Sequence, residues 1–396
     1  MSKTLFTGKW MFTGCEVIED FALVTDGGLI TWVGQRKDLS EQDFDRKEDL
    51  GEGYVTPGFI DCHVHLFGYG ETSSSKMRGD SLQAENTCLA VYNAKQLLSA
   101  GIVACRDLGS PNGNAIGLRE AINKRYVLGP HVVAAGRSIC VTGGHGYFTS
   151  IECDGKDEIR KGVRQVVKDG ADVVKIMVSG GVNSPGPEPG PTELTYDEIK
   201  AGVDAAHALG RKVSVHTHGN TAIRLCVEAG ADSIEHGVYM TEDIMDMMVE
   251  KGIFLVPTLS APYYAAIEGL KEEPDNPDHA ESKAVINRHR IALLTSFKKG
   301  VKIALGTDAG SPYNRFDKAA YELVLMVDSG FKPIEALTVA TKSGAELLGI
   351  DDKYGTLEIG KKASFLSFRG NPCERIEAVM EEKDVYLEGE RINIYI

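Results

Sequence analysis

Paired cysteines, long apolar runs and clusters of positive charge are all missing from this chain. The eight cysteines, at 15, 62, 88, 105, 140, 153, 226 and 373, include no C-x-x-C pair, which argues against a cysteine zinc cage or a dithiol redox motif. Scattered thiols fit a reducing cytoplasm, and a cytoplasmic location is expected. No stretch approaches the roughly 18 apolar residues of a spanning helix. The first ten residues, Met1 to Trp10, carry no unbroken apolar core of a signal peptide. Formal net charge is −14, without an arginine-rich stripe, so neither nucleic acid nor an anionic membrane is the expected partner. A small molecule or dipeptide is expected instead, and the composition is compatible with a homo-oligomer.

The rest of the composition is that of a globular protein able to bury a large core, with 42% hydrophobic and 25% charged residues. At 396 residues the chain exceeds one domain of modal size but accommodates a TIM-type barrel with an appendage. Short β-rich runs alternate with longer helical patterns from about 54 to 350. The runs cover 55–66, 101–109, 131–139, 171–181, 212–219, 232–238, 253–259 and 301–310. This alternation predicts βαβ units closed into a parallel (β/α)8 barrel over 54–352. Residues 196–210, YDEIKAGVDAAHALG, space apolar residues as a helix does and end in a glycine suited to its C-terminus.

Both chain ends read differently. Residues 1–53 and 353–396 contain short strands and turn glycines, as in Asp26-Gly27-Gly28 and Glu388-Gly389-Glu390. One small β-sandwich domain built from both ends, with the barrel inserted, is the economical reading. Two loops stand out: the Gly/Pro-rich 179–193, placed where barrels carry active-site loops, and the acidic 271–282, read as a solvated insertion.

His63 and His65 occupy i and i+2 of the first barrel strand, so their imidazoles point the same way. Two core histidines bonded to each other would satisfy that pattern equally well. The other strand ends change the balance. His216 ends the fifth run, His236 ends the sixth directly after Glu235, and Asp308 ends the eighth. Parallel barrels assemble their sites at this carboxyl end. Imidazole nitrogen and carboxylate oxygen are what zinc and similar ions take.

Lys175 sits inside the apolar VVKIMV, where an unpaired ammonium costs several kcal/mol to desolvate. A lysine reaching the barrel mouth or pairing with a carboxylate is one reading. A neutral amine that reacts with CO2 to form a metal-bridging carbamate is the other, and desolvation favours the neutral form.

The motifs TPGFIDCHVHL, DLG, TGGHG, VKIMVSGG, AHALGRKVSVHTHG, AGADSIEHG, VPTL and GTDAG, followed by EALTVATKSGAELLGIDDKYGTLEIGKKASF, cover nearly the whole chain. In them the sequence resembles the amidohydrolase superfamily, in the imidazolonepropionase-like branch that includes Xaa-Pro and Xaa-Arg dipeptidases. The resemblance implies two divalent ions, zinc by expectation. His63, His65 and Asp308 would hold one, His216 and His236 the other, and an N6-carboxylated Lys175 would bridge them. It implies hydrolysis of a C–N amide bond in a dipeptide or N-acyl amino acid by a metal-bridging hydroxide, with Asp308 as proton shuttle. Cyclic amide, carbamate or urea bonds are the alternative. His145, in TGGHG, and His218 are expected at the substrate. The His-Thr-His of residues 216–218 departs from the His-Ala-Tyr of some proline dipeptidases.

Other residues read as structural. Cys62 faces away from its histidine neighbours, Arg106 and Asp107 are expected to pair, and Glu235 to orient a neighbour. His131, His207, His279 and His289 lie outside the strand-end pattern. A mononuclear deaminase would carry a glutamate three residues after His216, where Gly219 stands. A silent scaffold would have lost ligands that are all present here.

Overall fold

A computed structural model describes residues 3–71, 83–181 and 190–394. The chain ends meet in one eight-stranded sheet. Its strands are β1 (Thr4–Phe12), β2 (Val17–Asp26), β3 (Leu29–Gln35), β4 (Arg46–Asp49), β5 (Tyr54–Pro57), β16 (Phe365–Phe368), β17 (Lys383–Leu387) and β18 (Glu390–Arg391). Their order is β18-β17-β16-β5-β1-β2-β3, with β4 also on β1. Phe6, Phe21, Leu23, Phe365 and Tyr386 form a separate core on this sheet. Both expected hairpin turns are present. Asp26 pairs with Leu29 around Gly27 and Gly28, and Leu387 pairs with Glu390 around Glu388 and Gly389. Gly27 and Gly28 have φ of 60° and 86°, the left-handed pair that a two-residue turn of matching twist requires.

Between the ends run parallel strands: β6 (Phe59–Val64), β7 (Ile102–Asp107), β8 (His131–Ala134), β9 (Ser138–Cys140), β10 (Ser150–Glu152), β11 (Val173–Met177), β12 (Lys212–Thr217), β13 (Ser233–His236), β14 (Phe254–Val256) and β15 (Lys302–Ile303). They form a three-stranded sheet, β6-β7-β8, and a seven-stranded one, β10-β9-β11-β12-β13-β14-β15. Hydrogen bonds cross both gaps between these sheets. The amide of Asp172 donates to the carbonyl of Ala134 over 2.8 Å, and that of Cys62 to Leu305 over 2.8 Å.

Two runs expected as single strands divide. Within 55–66, β5 joins the end sheet and β6 the parallel set, parted at Gly58. A Cβ there would lie 2.3 Å from Val103 Cγ1, so only glycine lets the chain change sheets. Within 131–139, β8 stops at Ala134 and β9 pairs separately with β11.

Helices follow the parallel strands and pack apolar faces on them. Tyr196–Ala208 starts at a reciprocal cap between Thr195 and Glu198, buries Ile199, Val203 and Ala206, and is terminated by Gly210 at φ 67°. Burying Ile199 and Val203 stabilises this docking by about 1.5–3 kcal/mol each. Among the described residues no helix is long and apolar enough to cross a membrane.

Candidate functional site

Strand alternation puts His63 and His65 on one side of β6 and its continuation. Cys62, on the other side, is fully buried, with its sulfur near the carbonyl of Gly344. Asp308 follows β15 by five residues and reaches both rings. Its Oδ1 is 3.5 Å from His63 Nε2 and 3.2 Å from His65 Nε2. Asp61 fixes this approach, its carboxylate accepting from the amides of His63 and Thr307 and from the Thr307 hydroxyl. His63, His65 and Asp308 each offer a ligating atom, all within 4.8 Å of one another.

A second group gathers at the ends of β12 and β13. His216, His218 and His236 also offer ligating atoms within 4.8 Å of one another. His218, expected at the substrate, is thus a neighbour of two expected metal ligands. His145 stacks on His216 with ring centres 4.2 Å apart, and its amide donates to Glu193.

Hydrogen bonds behind the rings fix their tautomers. His63 Nδ1 donates to Glu235 Oε2 over 2.8 Å and His65 Nδ1 to the carbonyl of Gly109 over 3.1 Å. The Thr258 hydroxyl donates to the Pro257 carbonyl, so it accepts from His236 Nδ1 at 2.6 Å. His63 and His236 are thereby left with an unprotonated Nε2, the form a metal takes, whereas His65 Nε2 faces the Asp308 carboxylate at 3.2 Å. His236 Nε2 lies 2.9 Å from His216 Nδ1 and accepts its proton, so the bare nitrogen of His216 is Nε2. Three residues here hold left-handed backbone without being glycine: His236 at φ 70°, Thr258 at 57° and Asp308 at 59°. Such strain costs about 1–3 kcal/mol each and collects where function dictates geometry.

Burial keeps the imidazoles neutral. It lowers His63 to about 4, His145 to about 4 and His218 to about 3, and places His216 and His236 well below the ordinary value. Burial also opposes charge on His65, but its bond to Asp308 outweighs this and raises it. For Asp308, burial is outweighed by His63 and His65, and the carboxyl is held below its usual range.

Lys175 is 1% exposed and its Nζ has no hydrogen-bond partner. Burial lowers its pKa to about 8. Its charge bears on His63, His216, His236 and Asp308, which places it among both groups.

Glu235 is the hub beneath the site. Besides His63, it accepts from Arg106 Nη2 at 2.8 Å, Ser214 Oγ at 2.8 Å and Ser233 Oγ at 2.6 Å. Arg106 and Asp107 therefore do not pair as expected. Neighbours on a strand point to opposite faces, so Arg106 turns to Glu235 while Asp107 accepts from the amides of Leu66 and Gly109.

The site opens into a cavity of about 970 Å³, within the size range of small-molecule sites. Segment 271–282 is not merely a solvated insertion, because Asn276, Asp278, His279 and Ser282 line this cavity. His279 and His289 are buried at its wall, and His289 Nε2 donates to the His236 carbonyl over 3.0 Å. Helical spacing carried no mark of these contacts. Thr258 lay in the quoted VPTL motif, and its hydroxyl at a strand end was the available signal. His207 pairs with Asp232 on the surface, and His131 stacks on Tyr354. Of the Gly/Pro-rich loop, 182–189 lie outside the described residues. Its ends return to the site, Gly190 lining up against His218.

Two histidine-rich groups that could each hold a metal ion and a buried lysine lie at a roomy cavity at the ends of parallel strands. The model of the amidohydrolase family matches residues 54–391. Ochratoxinase of Aspergillus niger is 30% identical over 404 residues, covering 93% of this chain and 82% of that protein. Imidazolonepropionase of Acinetobacter baumannii is 24% identical over 386 residues, covering 89% and 88%. A crystal structure of a Xaa-Pro dipeptidase with bound methionine superposes with a TM-score of 0.88 at 34% identity, covering 99% of this chain and 100% of that one. The chain belongs to the amidohydrolase family and is a hydrolase.

Proposed function

We propose that this protein is a two-metal amidohydrolase that cleaves a C–N amide bond in a dipeptide or N-acyl amino acid. The observation that carries this reading is Lys175. Its buried Nζ lacks a partner and lies among two ligand groups whose rings present bare nitrogens. That donor set fits cations: His63, His65 and Asp308 would hold one ion, His216 and His236 the other, and a carboxylated Lys175 would join them. Ions of the zinc class bound there would polarise the scissile carbonyl and make water nucleophilic near neutral pH.

The chain's own residues do the remainder. Asp308, kept ionised beside His63 and His65, takes a proton from water and hands it to the leaving nitrogen. An amine leaves poorly without that proton. His145, at the cavity wall, binds the carbonyl or carboxylate of the substrate. Glu235 and Thr258 hold two of the rings in register.

The parallel strands are read as one closed (β/α)8 barrel, since hydrogen bonds cross both gaps between the two parallel sheets. The end sheet, with its own core, is read as the small β-sandwich domain of both ends. Their boundaries fall near 54 and 353, the first drawn to Gly58 by the pairing of β5.

Similarity to a Xaa-Pro dipeptidase and to ochratoxinase supports the amide bond. Similarity to imidazolonepropionase supports a cyclic amide as the second reading. The test is a hydrolysis screen of zinc-loaded protein on N-acyl amino acids and on Xaa-Pro, Xaa-Arg and Xaa-hydrophobic dipeptides. Release of free amino acid from one class is expected. Ring opening of lactam-like compounds with all linear amides untouched would favour the second reading. No turnover in either set would sink both.

A further inference from the structure

The loop that carries His145 also carries two aromatic side chains that the reading above leaves unused. Tyr147 and Phe148 line the cavity with 44% of each still exposed, and their rings meet edge to face, 5.9 Å apart at 84°. The geometry points to a substrate side chain as their cover, one that is bulky, apolar and uncharged, with an aromatic ring as the best fit. The inference rests on the amide-hydrolase reading above and names the kind of dipeptide or N-acyl amino acid that the site prefers.

Local backbone chemistry explains how the pair is presented. Gly143 and Gly146 flank His145 with left-handed φ of 69° and 68°, so the chain turns sharply on either side of it. His145 stacks on His216, while Tyr147–Thr149 form a single tight turn at the cavity. Gly146 also passes close over Met177, where a Cβ would lie 3.0 Å from Met177 Cε. The turn is closed by its own bonds. The Tyr147 amide donates to the Gly144 carbonyl, and the Gly146 carbonyl accepts from the amide and hydroxyl of Thr149 and the hydroxyl of Ser150. Rings held on such a turn offer a rigid contact surface at low entropic cost.

One exposed ring on a surface would carry no message. Two in contact, inside a cavity wall and directly beyond the histidine assigned to substrate, make an apolar platform that a ligand ring meets stacked or edge-on. Charge narrows the choice further. Among the described residues no lysine or arginine lines the cavity, so an acidic side chain meets no fixed cation there. Glu193, the carboxylate tied to this loop, is engaged by the His145 amide through both oxygens at 3.2 and 3.0 Å, which disfavours a cationic side chain as the occupant.

The experiment compares matched dipeptides that carry Phe, Leu, Ala, Arg or Asp on either side of the scissile bond, with zinc-loaded protein. The phenylalanine substrates are expected to exceed the alanine ones in kcat/KM by about tenfold or more. Tyr147→Ser and Phe148→Ser are each expected to reduce that preference about 3–10-fold, mainly through KM. Binding is read separately on the metal-free chain by saturation-transfer NMR with N-acetylphenylalanine. Signal on its ring protons is expected, and weaker signal in the double variant Tyr147→Ser, Phe148→Ser.

A preference for arginine over phenylalanine, or equal losses on phenylalanine and alanine substrates in both variants, would overturn the inference. So would a change of oligomeric mass in the variants with selectivity unmoved, since the pair would then be a contact between copies. If no amide is cleaved, the amide-hydrolase reading fails by itself and the NMR decides this one. Ring signals lost in the double variant uphold the platform, and signals absent or unchanged sink it. If the serine variants fail to fold, the wild-type spectrum decides, and missing ring signals overturn the inference.

Discussion

His63 and Glu235, 172 residues apart in the chain, share a buried hydrogen bond of 2.8 Å between Nδ1 and Oε2. Through it a carboxylate that touches no cavity surface decides which nitrogen of His63 faces the site. The same carboxylate neutralises Arg106, the largest fully buried side chain among the described residues. Glu235 remains ionised although burial opposes it, because Arg106 and His63 drive its pKa strongly down.

Replacing Glu235 therefore has two separable effects. Glu235→Gln presents an amide to a guanidinium that cannot lose its charge, and removing one partner of a buried pair costs about 3–5 kcal/mol. The melting temperature should fall by several degrees. Zinc affinity should also drop by about 10–100-fold, because His63 loses its orienting acceptor. Calorimetry and chelator competition measure these losses. An unchanged melting point would show that Arg106 finds another partner.

Lys175→Ala should abolish most hydrolysis while leaving the fold intact, since it removes a buried amine that has no hydrogen-bond partner. Acetate or propionate, supplying carboxylate oxygens in the vacated space, should restore part of kcat. Near wild-type kcat in the variant would make the lysine purely structural.

Asp308→Asn retains shape and one oxygen but cannot accept a proton from water. Proton transfer by a placed side chain is worth about 10²–10⁴-fold, and kcat/KM for an amide should fall at least that far. A matched ester with a good leaving group should suffer less. Equal losses for amide and ester, with metal retained, would count against protonation of the leaving group by Asp308.

Glu322 sets an acidic bias on stability. It is fully buried, accepts from the amides of Leu259 and Ser260 and the Ser260 hydroxyl, and burial raises its pKa to about 8. An acid raised on folding binds more protons in the native state than in the unfolded one between about 4.5 and 8. Its contribution is full below pH 4.5 and is lost as pH climbs through 8. Glu322→Gln misplaces a donor against Ser260 and should be less stable at low pH. The gap in melting temperature should narrow from pH 5 to 8 and level off above. A gap independent of pH would mean that Glu322 is ionised throughout.

Much of the site was readable because a strand repeats every two residues. His63, His65, His216, His236 and Asp308 stand at the ends of apolar runs that could only be strands, and parallel strands bring such ends to one mouth. Lys175 declared itself by being the one charge in VVKIMV. Local turn chemistry was equally legible at Gly27-Gly28 and Gly389, where two residues settle the geometry.

What periodicity could not reach were partners chosen across the fold. Nothing near Arg106 in the chain points to Glu235, 129 residues away, and the adjacent Asp107 was a false lead because it faces the opposite side. The change of sheet at Gly58 follows from Val103, met only after the chain has returned. His218 shares a strand face with His216, so the sequence put it at the site, but whether it meets substrate or joins a ligand set depends on how far β12 stands from β13. His279 and His289 lie on one helix, Pro277–Lys299, whose spacing says only that one side is buried, and the tertiary packing made that side a cavity wall. The sequence by itself determined the ligand types and the end of the strands that bears them, because both follow from local backbone geometry. Which groups meet, and with which tautomer, only the tertiary structure decided, because those contacts join strands that are remote in the chain.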